Sequence, residues 1–112
     1  MKDKDSTRLQ HMLDYAREAK AMATGHQRLD LDSDRTLMFA LAKLVEIIGE
    51  AAASISQGTR DRLPQFEWNK IIGMRNRLVH VYFKIDLDIL WDTIQEDIPK
   101  LIEELEKILE LQ

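Results

Sequence analysis

Cysteine is absent from this 112-residue chain, so neither a disulfide framework nor a thiolate metal site is possible. Proline and glycine are scarce as well, two and four respectively. With 45% hydrophobic and 32% charged residues, that balance suits a helix-rich globular protein rather than a disordered one. No apolar run approaches membrane-spanning length, and none follows the charged start Met1-Lys2-Asp3-Lys4-Asp5, so a cytoplasmic protein with no membrane partner is expected. There is no phosphate-binding glycine loop, no His-Glu-x-x-His helix and no calcium-loop spacing. Three His without Cys make no case for a metal or a cofactor. The length fits one domain, 1–112.

Charge of one sign is also missing from one stretch. The net charge is -4, which argues against coating nucleic acid through bulk electrostatics. Yet Lys70 to Lys84 holds Lys70, Arg75, Arg77, Lys84 and His80 without one acid, whereas Ile85 to the end sets nine acids against Lys100 and Lys107. On charge alone the basic island reads equally as a phosphate site or as a solvated helix face.

What the chain has in quantity is helical periodicity. Leu9, Met12, Leu13, Ala16, Ala19 and Ala23 make one stripe, with Asp5 or Ser6 able to cap its start and Gly25 its end. Gly25 to Asp34 reads as a loop whose Asp32, Ser33 and Asp34 can cap a second helix running to about Gln57. That helix is apolar on more than one side (Leu37, Met38, Ala40, Leu41, Leu44, Val45, Ile47, Ile48, Ala51, Ala52, Ile55), which marks it as central or as half of a subunit interface. Gly58 to Leu63 reads as a polar turn and Pro64 as the approach to a third helix carrying Phe66, Trp68, Ile71, Ile72, Leu78 and Val79. Phe83 to Asp88 turns the chain. Leu87, Leu90, Trp91, Ile94 and Ile98 then lead to Pro99, which either kinks the helix or starts a new one, and Leu101, Ile102, Leu105, Ile108, Leu109 and Leu111 continue the stripe. The expected fold is all-α, an up-and-down bundle of four to five helices.

Chemistry concentrates in Arg75-Asn76-Arg77-Leu78-Val79-His80-Val81-Tyr82. If the third helix continues, Asn76 and His80 share a face; Tyr82 joins them only where the helix ends. An imidazole that moves protons near neutral pH and a guanidinium that holds a phosphate supply the parts for RNA cleavage without a metal. One His does not readily serve as both base and acid, so a two-fold homodimer bringing two His and two Arg to one cleft is expected. Spacing leaves the plain readings open: His80 as a helix-end residue bonded to a carbonyl, Tyr82 as a packed ring with its hydroxyl in water. Glu46 and Glu50 share a face and either orient a guanidinium or form an exposed acidic strip. Trp68 and Trp91 continue apolar stripes and read as core anchors.

Arg75-Asn76-x-x-x-His80-x-Tyr82 late in the third helix resembles the HepT-like branch of the HEPN superfamily. Ile47-Ile48-Gly49-Glu50-Ala51-Ala52 is similar to that branch's Gly-Glu-Ala segment. Phe66-Glu67-Trp68-x-x-Ile71-x-Gly73-Met74-Arg75-Asn76 is similar to its approach to the active site, and Ile85-Asp86 with Trp91 to the turn and helix beyond, so the likeness spans about Leu37 to Leu105. The resemblance implies an HEPN-like bundle and the toxin of a toxin-antitoxin pair, a metal-independent endoribonuclease whose site is composed across a homodimer. It implies Arg75, Asn76 and His80 as catalytic; beside them stand two supporting residues read from the sequence itself, Glu50 from its spacing to Glu46 and Arg77 as an added positive charge that competes with Arg75 for phosphate. It further implies an MntA-like nucleotidyltransferase antitoxin that transfers AMP to Tyr82, adding bulk and negative charge beside His80 and Arg75. The other reading is a non-catalytic HEPN subunit that binds nucleotide or a nucleotidyltransferase partner.

Overall fold

The computed structural model describes residues 3–79 and 84–110. It is all-α, with α1 at Asp3–Ala23, α2 at Asp30–Ser33, α3 at Arg35–Ala53, α4 at Gln57–Arg62, α5 at Trp68–Ile72, α6 at Met74–Leu78, α7 at Leu87–Asp92 and α8 at Ile98–Glu110. Among the described residues there is no strand, only an isolated antiparallel bridge between Val79 and Ile85.

The expected stripes are the core. Leu9, Met12, Leu13, Ala16, Ala19 and Ala23 of α1 are all buried, as are Leu101, Ile102, Leu105 and Ile108 of α8. Each large side chain removed from water in this way stabilises the fold by about 1.5–3 kcal/mol. α3 is the central helix, packed by α1, α2, α5, α6 and α7, which explains why its sequence is apolar on several sides. At Gly49 that packing is tight, since a Cβ there would stand 3.2 Å from the Ile72 carbonyl oxygen of α5.

Local signals acted mostly as expected. Gly25 ends α1 with φ 85°, a left-handed value that glycine adopts at little cost. Of the three capping residues offered before α3, Asp34 is the one used, accepting from Leu37 N–H at 3.0 Å. Asp86 caps α7 in the same way through Ile89 N–H.

Several boundaries differ from the periodic reading. The loop before α3 contains the single helical turn of α2. α3 stops at Ala53 rather than near Gln57, because Ser56 caps a separate helix where a polar turn was expected. Asp5 does not cap α1; it lies inside it, 1% exposed, and accepts from Ser56 N–H, Ser56 Oγ–H and Thr59 Oγ1–H of the α4 start at 3.0, 2.6 and 2.6 Å. The third helix is divided at Gly73 into α5 and α6. Pro99 does not start a detached helix: α7 runs into α8 through a π-helical turn at Thr93–Asp97. Proline lacks an N–H and its ring crowds the carbonyl four residues back, and a widened turn just before it accommodates both.

Candidate active site

The basic island is carried by α5, α6 and the segment beyond, and its members face different ways. α6 ends at Leu78, and Val79 is extended, with φ -104° and ψ 112°. The Leu78 carbonyl accepts from Asp86 N–H at 2.7 Å, and Val79 bridges to Ile85. Val79 is β-branched, and such a side chain fits extended backbone better than a helix. The described helix ends at Leu78, two residues before His80, so the expectation that Asn76 and His80 share one helical face falls outside the described residues. His80 and Tyr82 themselves lie outside the described residues.

Beside that bridge lies a groove of about 380 Å³, a volume in the range of small-molecule and cofactor sites. Phe39, Ala42, Lys43 and Glu46 of α3 form one wall. Arg75 and Leu78 of α6, with Val79 and Ile85, form the other. Arg75 has no ion-pair partner among the described residues, so its guanidinium is available to an incoming anion. Glu46 lines the same groove but is paired with Lys43, Oε1 to Nζ at 3.7 Å. Glu50, one turn further along α3, is exposed and does not line it. Asn76 is exposed on α6 beside Arg75.

Arg77, two positions on, turns to the other side of α6. Its Nη2 lies 3.7 Å from Asp97 Oδ2, and Lys70 Nζ lies 3.3 Å from the other oxygen of the same carboxylate. Half of the basic island is thus met by an acid of the C-terminal segment, and the contrast between the two halves of the sequence becomes a set of contacts. Both cations are exposed and Asp97 is half-buried, so each pair is of small individual worth; their effect is to keep Arg77 away from the Arg75 groove. Trp68 and Trp91 both pack against the core, Trp68 also donating from its indole N–H to the Leu63 carbonyl at 3.0 Å.

Sequence reasoning missed Phe39. It falls off the buried stripe of α3, between Leu37 and Leu41, and is 47% exposed while they are buried. An aromatic out of phase with its own helix was the available signal. Among the described residues no group of three or more His, Asp and Glu could hold a metal ion, and no helix is long and apolar enough to cross a membrane.

Residues 12–108 match the family model described as "Ribonuclease HepT-like". The chain belongs to the HepT-like ribonuclease family. It is accordingly an RNA-cleaving enzyme, with the helical bundle of the HEPN type. A protein of Methanocaldococcus jannaschii named "Putative RNase MJ1380" is 38% identical over 74 residues, 66% of this chain and 68% of that one. The "Probable ribonuclease HepT" of Thermococcus cleftensis is 38% identical over 79 residues, 70% of this chain and 72% of its own length. "Putative RNase TTE0752" of Caldanaerobacter subterraneus is 32% identical over 102 residues, 91% of each chain. No solved structure matches the chain.

Proposed function

We propose that the chain is a single-domain endoribonuclease toxin whose active site is composed at a two-fold homodimer interface from Arg75, Asn76 and His80. The observation that carries this reading is Arg75: a guanidinium with no ion-pair partner among the described residues, on a groove whose lining includes Val79, the residue bonded directly to His80, in a chain of the HepT-like family.

The reaction that fits these groups needs no metal. His80 of one subunit takes the proton from a ribose 2′-hydroxyl, and the oxygen attacks the adjacent phosphorus. As the bond to the 5′-oxygen breaks, His80 of the other subunit donates a proton to it, leaving a 2′,3′-cyclic phosphate and a 5′-hydroxyl. Arg75 stabilises the charge that grows on the non-bridging oxygens, and Asn76 orients the phosphate or the imidazole. Tyr82 is the switch: an MntA-like nucleotidyltransferase antitoxin adds AMP to its hydroxyl, and the new phosphate repels RNA from Arg75 and His80.

Purified His80→Ala protein should lose RNA cleavage, and wild type should sediment as a dimer. Cleavage by the variant at the wild-type rate, with contaminating nuclease excluded, would sink the site assignment. Incubation with the cognate nucleotidyltransferase and ATP should add AMP mass to wild type and none to Tyr82→Phe; an unmodified wild-type mass with an active transferase removes the switch. No cleavage under any condition, together with tight nucleotide or partner binding, would favour the non-catalytic subunit instead.

A further inference from the structure

We infer that Phe39 is the platform on which one unpaired base of the substrate stacks, and that the enzyme therefore takes single-stranded RNA along the α3–α6 groove. The inference rests on the ribonuclease reading above and adds to it a binding residue and a substrate class.

Phe39 and Leu29 are the large apolar side chains left exposed among the described residues. A single exposed apolar group needs no explanation by itself; the placement of this one does. Phe39 lines the same groove as Arg75, and the guanidinium of Arg35, one turn earlier on α3, lies over its ring with Cζ 5.2 Å from the centroid. Lys43 follows one turn later on the same wall. An aromatic face flanked by cations is how proteins hold single strands: the bases stack on the rings and the basic side chains follow the phosphates.

The charges favour a strand over a protein occupant. Arg35, Lys43 and Arg75 outnumber Glu46 here, in a chain whose net charge is -4, and Glu46 is already paired with Lys43. A strand brings phosphates to Arg75, whose guanidinium has no ion-pair partner among the described residues.

The test uses the non-cleaving His80→Ala protein, a short fluorescein-labelled RNA of mixed sequence, and the same strand annealed to its complement. Anisotropy should show tighter binding of the single strand than of the duplex. Phe39→Leu, which keeps apolar bulk but no aromatic face, should weaken single-strand binding by about 5- to 100-fold, and Phe39→Trp should restore it. In the His80 background of wild type, Phe39→Leu should raise KM more than it lowers kcat. Equal binding of single strand and duplex, or Phe39→Leu binding like its parent, overturns the inference while leaving the His80 cleavage result untouched. Retention with Leu and loss with Trp, accompanied by dissociation in sedimentation equilibrium, overturns it in favour of a dimer contact.

Discussion

The buried carboxylate of Asp5 yields a quantitative prediction. It sits in the first turns of α1, accepts from Ser56 Oγ–H, Thr59 Oγ1–H and Ser56 N–H, and has Arg8 at 3.9 Å. The Ser56 hydroxyl and then the Thr59 hydroxyl, bonding to the charged form, hold its pKa at about 2 against an ordinary 3.8, although burial opposes them. A pKa depressed in the folded state stabilises the protein above the unfolded pKa, and that contribution is lost as pH falls through the folded pKa. Allowing for screening beneath a thin protein cover, the gap corresponds to about 1–2 kcal/mol above pH ~5, about half of it gone by pH ~3. Asp5→Asn lacks this titration and turns an amide N–H₂ toward the donors, costing about 2 kcal/mol near neutrality. Urea unfolding of both proteins should therefore show midpoints well apart at pH 6, separated by roughly 1–2 M at a slope typical of this size, and drawing together by pH 3. A separation that stays constant over this range would refute the assignment of the stabilisation to the ionised carboxylate.

Other expectations follow from the site and its supports. Arg75→Ala should lower kcat for RNA cleavage by about 100-fold or more, whereas Arg77→Ala, whose side chain is turned to Asp97, should stay within about 3-fold since it removes only a pair of small worth; steady-state cleavage of a single-stranded substrate decides, and the reverse order would place the phosphate holder wrongly. Gly49→Val should cost about 1–3 kcal/mol in urea unfolding, because its side chain would crowd the Ile71 and Ile72 carbonyls and force α5 off α3; unchanged stability would show that the two helices can part freely.

Much of this molecule was legible before any coordinates. The stripes on α1, α3 and α8, the glycine that ends α1 and the acidic cap of α3 are local properties of three or four consecutive turns, and periodicity and capping chemistry report them directly. The string from Arg75 to Tyr82 with the segments around it pointed to the HepT-like family, whose model covers residues 12–108. Boundaries were less legible where a distant partner decided them. Asp5 looked like a cap for its own helix, but Ser56 and Thr59, some fifty residues away, took its oxygens.

The sequence by itself determined an all-helical bundle, the family and the short string in which its chemistry lies, because all of these are written in residue type and spacing. Tertiary structure alone decided how that string is used. The pairing of Val79 with Ile85 stops α6 before His80, Asp97 takes Arg77 and Lys70 out of the basic island, and packing of α6 on α3 joins Arg75 to Phe39 across one groove. Each of these is a contact between residues that no local period relates, and such contacts exist only once the helices have packed.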